Sequence, residues 1–186
     1  MDATEITNNE YRQFTNWVRD SIAGKLMGYV TQGADGNEYL DWKKVATIKW
    51  EDKATLEKVD AMILTPDNRI FGKKEIDPTK VVYHSETFNY GAAAANHDPN
   101  VPRSKFIIKK DIAVYPDTLV WVRDFAYSYN EPMAKQYYAH PAFGNYPVVG
   151  VNWKQANAFC EWRTHYLNSY LISKKRASET NFRLPT

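Results

Sequence analysis

The order of hydrophobic and polar positions predicts an amphipathic helix near each end of the chain. At the start, Thr7 and Glu10 are spaced as a capping box, in which each side chain accepts a hydrogen bond from the other residue's backbone N–H. Hydrophobic residues then recur at helical spacing: Tyr11, Phe14, Trp17, Val18 and Ile22. We therefore expect a helix from about Asn8 to about Ala23, closed by the glycines that follow it.

The second predicted helix begins after Asn152, where Gln155 completes another capping box. A short hydrophobic run at residues 147–151 precedes it and predicts a buried strand that leads into the helix. Helical spacing also predicts which side chains of this helix face the core: Trp153, Ala156, Phe159, Cys160, Arg163 and Leu167.

The middle of the chain predicts short elements separated by turns, which makes the fold class α+β. We expect short strands at residues 61–64, 80–83 and 106–108, and one short helix at residues 54–59. Residues 118–125 are the strongest strand signal, because β-branched and aromatic residues run through them. The aromatic, proline-punctuated stretch at residues 127–144 is interpreted as an ordered loop.

Composition narrows the function classes. The chain has 186 residues, of which 44% are hydrophobic and 15% aromatic, values that exclude a disordered chain. Its net charge of +2 does not indicate nucleic acid or an anionic membrane as a partner. No run approaches the ~18 apolar residues of a membrane span. A single cysteine excludes both an internal disulfide and a CxxC metal site.

The residues that could carry chemistry each have a simpler structural interpretation. Cys160 is expected to be an inert core thiol, because burial raises a thiol pKa. His84 and Glu86 would point to one face of a strand, yet no third ligand has recognisable spacing, so a solvated or hydrogen-bonded pair is favoured over a metal site. His165 is expected to pair with Glu161 one helical turn away. His140 lies in a loop without an evident partner.

Three carboxylates and five aromatic residues surround the central strand and loop. The carboxylates are Asp117, Asp124 and Glu131, and nothing in their spacing fixes the two-carboxylate geometry of a glycosidase. The aromatic residues could stack on a sugar or a base, but packing of a long loop onto the core is favoured; they are Tyr127, Tyr129, Tyr137, Tyr138 and Phe143. The sequence therefore predicts no catalytic, cofactor-binding or metal-binding residue.

Three motifs resemble a known family in the correct order. Residues 4–14 (TEITNNEYRQF) resemble the E-V-T-N-x-x-Y-x-x-F opening of the formylglycine-generating, or sulfatase-modifying-factor, family. Residues 146–162 (YPVVGVNWKQANAFCEW) resemble its P-V-v-x-V-s-W-x-x-A-x-x-F-C-x-W segment, and residues 183–186 (RLPT) resemble the start of its R-L-P-T-E-A-E-W-E-Y-A signature. The chain would thus begin in one motif and stop in another, and we expect it to be a fragment.

Further segments resemble one branch of this family, the GldK/PorK gliding-motility lipoproteins of Bacteroidetes. They are LDWKK at 40–44, FGKKEID at 71–77, YPDTLVWVRDF at 115–125 and YSYNEP at 127–132. The resemblance implies an incomplete sulfatase-modifying-factor fold, distantly like C-type lectins, with a branch-specific insertion. The expected division is residues 1–24 and 112–186 for the family domain, and residues 25–111 for the insertion.

The same resemblance implies a non-catalytic, structural role. Members of the branch are lipoproteins on the periplasmic face of the outer membrane. With a GldN/PorN-type partner they form a large ring of the type IX secretion system, so self-association, this partner and a lipid anchor upstream of the segment are expected. No cofactor is expected in the segment.

Two other functions stay open at this point. The first is a copper-dependent formylglycine-generating oxidase, or a related sulfur oxygenase, whose thiolate pair and calcium ligands would lie beyond the RLPT signature. The second is a ligand-binding module that uses residues 127–144.

Overall fold

The computed structural model describes residues 2, 4–33, 36–69, 72–124 (the backbone alone at position 124) and 136–185. Within these residues the fold combines helices with two separate two-stranded antiparallel sheets, which confirms the α+β class. The division into a family domain and an insertion stays a prediction.

The first predicted helix is confirmed as α1, Asn8–Leu26. Its capping box is present, since the Glu10 carboxylate accepts from the Thr7 backbone N–H at 2.8 Å and the Thr7 hydroxyl accepts from the Glu10 N–H. The helix is three residues longer than expected, and it ends before Gly28, whose φ of +71° suits glycine.

Residues 25–111 contain more helix than the sequence indicated. Strands β1 (Val30–Gln32) and β2 (Glu38–Leu40) form a hairpin, followed by α2 (Trp42–Val45) and α3 (Lys53–Lys58). Helix α3 confirms the expected helix at 54–59. The strand expected at 61–64 is wrong: Asp60–Met62 is a 3-10 turn, and only Ile63 then forms an isolated bridge, with Ile76.

The larger sheet pairs β3 (Val82–Phe88) with β4 (Ile107–Ala113). The expected runs at 80–83 and 106–108 are confirmed in part: residues 82–83 begin β3 and residues 107–108 begin β4, whereas Lys80 ends a 3-10 turn, and both strands continue further than expected. The connection between them contains helix α4 (Tyr90–Ala95) and a 3-10 turn at Arg103–Phe106. In the register, Tyr83 lies opposite Ile112.

The strand expected at residues 118–125 is wrong, because the chain forms helix α5 at Val120–Asp124. The Asp117 carboxylate accepts a hydrogen bond from the Leu119 N–H at 2.9 Å and also contacts the Arg123 guanidinium at 2.9 Å. The bond from the Leu119 N–H forms a side-chain turn at Asp117 just before the helix, and the Arg123 contact ties the helix back to that turn, which favours helix over strand despite the β-propensity of the residues that follow.

The buried strand expected at 147–151 is also wrong. Only Pro147 forms a bridge, with Thr7, and the Val148 N–H donates to the Ile6 carbonyl at 2.9 Å. The segment is half-buried to exposed, and it fastens the start of α1 rather than joining a sheet.

Helix α6, Trp153–Ser173, confirms the second predicted helix and its Asn152–Gln155 capping box. The expected core face is largely wrong: of the six side chains proposed only Phe159 is buried, and Trp153 is 70% exposed. Aromatic residues occur on more than one face of this helix, so spacing alone could not identify the buried one. The buried residues of the helix are Gln155, Ala158, Phe159, Trp162 and Thr164.

The main core lies where α1, α6 and the inner face of β3 meet. Phe14 is fully buried and its ring contacts those of Tyr83, Phe159 and Trp162, with centroids 5.3 to 5.8 Å apart. Val81, also fully buried, joins the same cluster. The region expected to be an insertion therefore contributes side chains to the core. A second, smaller cluster packs beneath the end of α1 and contains Ala23, Val59, Met62 and Ile63.

Candidate functional site

Cys160 lies on the wall of a cleft between α6, the β3–β4 sheet and the C-terminal segment. The cleft holds about 300 Å³, and its lining includes Ser85, Lys110, Glu161 and His165. The thiol is half-buried, which corrects its expected place in the apolar core. Burial raises the pKa of the Cys160 thiol, as expected, and so favours the unreactive protonated form.

Glu161 joins α6 to strand β3. One carboxylate oxygen accepts from the Ser85 hydroxyl at 2.5 Å, and the other accepts from the Glu86 backbone N–H at 3.0 Å. Both oxygens are therefore directed to the strand, and the expected pairing with His165 is wrong. Sequence spacing suggested the local partner, whereas the tertiary fold supplies two donors that helix periodicity cannot reveal.

His84 and Glu86 lie on the exposed face of β3, each beside an oppositely charged or hydrogen-bonding residue of β4. His84 Nδ1 is 2.6 Å from the Asp111 carboxylate, and Lys109 Nζ is 2.7 Å from the Glu86 carboxylate. This confirms the hydrogen-bonded interpretation of both residues. In the part of the chain that the structure describes, no three His, Cys, Asp or Glu side chains are grouped to hold a metal ion.

The loop residues serve local structure. His140 Nδ1 accepts from the Ala142 N–H and caps the 3-10 turn at Pro141–Phe143. The pKa of Asp117 is lowered by its hydrogen bonds from the Leu119 backbone and the Arg123 side chain. The Asp124 side chain and Glu131 lie outside the described residues.

The described loop aromatics pack against the core, which confirms their structural interpretation. Tyr137 and Tyr138 are buried, and the Tyr138 hydroxyl lies 2.8 Å from the Thr15 hydroxyl on α1. The Phe143 ring stacks on Tyr137 at 5.4 Å. Tyr127 and Tyr129 lie outside the described residues, so the ligand-binding alternative for residues 127–144 stays a prediction.

The register of the larger sheet shows which backbone groups of β4 point outward. The Asn89 N–H donates to the Phe106 carbonyl, and the Val114 N–H donates to the Val81 carbonyl. The pairs 89–106 and 81–114, one at each end of the ladder, are therefore hydrogen-bonded pairs. Hydrogen-bonded pairs alternate along an antiparallel ladder. The even-numbered residues of β4 therefore bond to β3, and the backbone groups of the odd-numbered residues face away from it.

In the part of the chain that the structure describes, the outer edge of β4 is unpaired at Lys109 and Asp111. Neither backbone N–H nor either carbonyl of these residues has a hydrogen-bond partner among residues that the structure describes. At its ends the edge is occupied, since the Ile107 N–H donates to Ser104 and the Ala113 carbonyl accepts from Gln155. The sequence showed part of this strand but not its register, which is what defines the edge.

None of the helices in the described part of the chain has the length and hydrophobicity needed to cross a bilayer. No protein-family model matches the chain, and no curated protein or solved structure matches it either.

Proposed function

We propose that this chain is part of a non-catalytic structural component of the periplasmic ring of the type IX secretion and gliding-motility machinery. In this proposal the fold is an incomplete sulfatase-modifying-factor fold, and the whole protein is held at the outer membrane by an upstream lipid anchor. The single observation that carries the assembly role is the exposed β3–β4 hairpin, whose outer edge leaves the backbone groups of Lys109 and Asp111 without hydrogen-bond partners in the described part of the chain.

The packing of the motif residues supports a scaffold. Tyr11 and Phe14 come from the first motif, and Phe159 and Trp162 from the second. All four belong to one buried cluster, with ring centroids of Tyr11 and Phe159 5.5 Å apart. These residues thus hold the two motif helices together. Because the motif residues are buried in the core, the outward face of the hairpin stays available for a contact with a partner.

The hairpin is suited to a polar contact. Its outward face has two exposed pairs of side chains, His84 with Asp111 and Glu86 with Lys109. Interfaces that form between already folded proteins have polar rims and many hydrogen bonds, so such a face fits a subunit contact in a larger assembly.

The test is to co-express the full chain with a GldN/PorN-type ring protein and to measure co-purification and the dissociation constant. We expect a complex, weakened about tenfold by the double substitution Glu86→Ala with Lys109→Ala, because interface residues of this kind contribute roughly 1.4 kcal/mol together. The matched control is Lys53→Ala with Glu57→Ala, an exposed Lys and Glu on α3. The control should bind like the parent chain.

Two results would overturn the proposal. One is the absence of any complex with the ring partner while the chain is folded. The other is conversion of a cysteine in a substrate peptide to formylglycine when the protein is supplied with copper and oxygen, which would favour the oxidase. Deleting residues 30–105 is a poor test, because it would remove Val81 and Tyr83 from the core.

A further inference from the structure

The two edges of the larger sheet differ in how they are protected. On the β3 side, the Glu161 carboxylate accepts from the outward Glu86 N–H and so covers the edge at that residue, although the outward backbone groups of His84 have no partner in the described structure. On the β4 side, Lys109 and Asp111 leave two donors and two acceptors without partners in the described structure. An exposed edge of this kind is a template for another strand.

The charges along β4 are complementary to the same strand in reverse. An antiparallel copy centred on Lys110 places Lys109 opposite Asp111 of the second copy and Asp111 opposite its Lys109. In this register the four unpaired backbone groups of each edge meet the same four groups of the other copy, because residues that point outward form the hydrogen-bonded pairs. Opposite charges directly across a ladder are stabilising.

We propose that a second copy of this chain pairs with the first through antiparallel β4 edges and forms a continuous four-stranded sheet. On its outward face acidic and basic side chains alternate across all four strands. Glu86 contacts Lys109 within one chain, Lys109 faces Asp111 of the second copy, and that Asp111 contacts its own His84, as it does here. The two-fold axis repeats this row in the opposite direction.

Other registers are disfavoured by charge. Sliding the copies by two residues, which keeps outward groups in register, brings Lys109 opposite Lys109 or Asp111 opposite Asp111. Like charges directly opposite each other are destabilising. The favoured register does place Lys110 opposite Lys110 on the other face, where both side chains are exposed and can diverge. We therefore expect a specific but weak dimer.

This inference uses the same β4 edge as the proposed function, but it needs no ring partner. A two-fold contact uses the same surface on both subunits and closes at two copies. It cannot by itself generate a large ring, and a ring partner that used this edge would compete with the second copy. The dimer is measured with the chain alone, so failure to bind a ring partner would not overturn it, and a chain that stayed monomeric could still bind a partner at this edge.

The test is sedimentation equilibrium of the full chain up to roughly 1 mM, the range in which a small polar interface associates. The single variants Lys109→Asp and Asp111→Lys each place like charges in both cross-strand pairs of a homodimer. We expect each to raise the dissociation constant about tenfold or more. An equimolar mixture of the two variants restores opposite charges in both pairs, so the mixture should associate more tightly than either variant alone.

Two controls establish specificity. Lys73→Asp makes the same change of charge as Lys109→Asp, but at an exposed loop position outside β4, and it should leave association unchanged. In a Cys160→Ser background, Lys110→Cys places two thiols opposite each other at the two-fold axis and should form a disulfide-linked dimer under mild oxidation. Ile108→Cys in that background places its thiol opposite Ile112 and should not.

Three results would overturn the inference. The first is a wild-type chain that stays monomeric throughout the concentration range, and the second is a pair of variants that dimerise as the parent does. The third is a mixture that fails to recover association while circular dichroism shows both variants to be folded.

Discussion

The helix-pair core and the outer hairpin edge use their polar groups in opposite ways. In the core, the Tyr11 hydroxyl donates to the Val114 carbonyl at 2.9 Å, and the Gln155 amide donates to two backbone carbonyls beside β4. At the edge, Lys109 and Asp111 leave backbone donors and acceptors unpaired within the described chain. These core groups are paired within the chain, whereas the edge groups are available to a partner.

On strand β3, alternating side chains separate the contribution to the core from the contribution to the outer surface. On β3, Tyr83 and Ser85 are buried against the helices, and His84 and Glu86 point to solvent. Changes on the buried face should therefore alter stability, while changes on the outward face should alter association alone.

The largest expected effect on stability is at the centre of the core. Phe14→Ala should lower the free energy of unfolding by about 3–5 kcal/mol, because it removes a fully buried ring that touches four aromatic neighbours. Urea denaturation followed by tryptophan fluorescence measures the change.

A milder variant keeps this prediction testable if the alanine variant does not fold. Phe14→Leu retains most of the buried volume and should cost less than the alanine change. At the outward face, Glu86→Ala should change the free energy of unfolding by less than about 0.5 kcal/mol, because exposed ion pairs contribute little. Equal losses at Phe14 and Glu86 would contradict the separation of core and edge.

The second prediction concerns alkaline pH. Burial raises the pKa of both Tyr11 and Tyr138 in the folded chain, whereas both titrate near 10 when the chain is unfolded. The unfolded state then releases protons that the folded state retains. The stability is therefore complete below about pH 10 and falls as the pH rises, by about 1.4 kcal/mol per buried tyrosine at pH 11.

Denaturation curves at pH 8 and pH 11 measure this loss. Tyr138→Phe is the matched variant, because it removes the ionisable hydroxyl and keeps the buried ring. It should be less stable than the parent at pH 8, since the hydroxyl contact with Thr15 is lost, but its stability should fall less between the two pH values. An unchanged pH dependence would show that the Tyr138 hydroxyl is not shielded in the folded chain.

The parts of the fold that depend on near neighbours could be predicted from the sequence. Both long helices follow capping boxes, whose two members are three residues apart, and both boxes form as expected. Cys160 was expected to be an unreactive thiol for a similar reason, because the apolar neighbours on its own helix were visible in the sequence.

The parts that depend on distant residues could not be predicted. Residues 118–125 have high β-propensity, but among the described residues no strand pairs with them, and the side-chain turn at Asp117 leads into the helix Val120–Asp124. The buried face of α6 is set by α1 and β3, and Trp153 therefore lies outside it. The candidate edge on β4 depends on a register with residues some 25 positions earlier, which no local pattern specifies.

A loss smaller than those at Phe14 and the buried tyrosines is expected at Glu161, the residue that links the core to the hairpin. Glu161→Ala removes the acceptor for the Ser85 hydroxyl and the Glu86 N–H, and it should lower the free energy of unfolding by about 1 kcal/mol. Glu161→Gln keeps a hydrogen-bonding group of the same length and should lose less. Because the alanine variant also frees the β3 edge, it should increase self-association, which sedimentation would detect. A variant that loses stability without any change in association would show that the β3 edge is protected by more than this carboxylate.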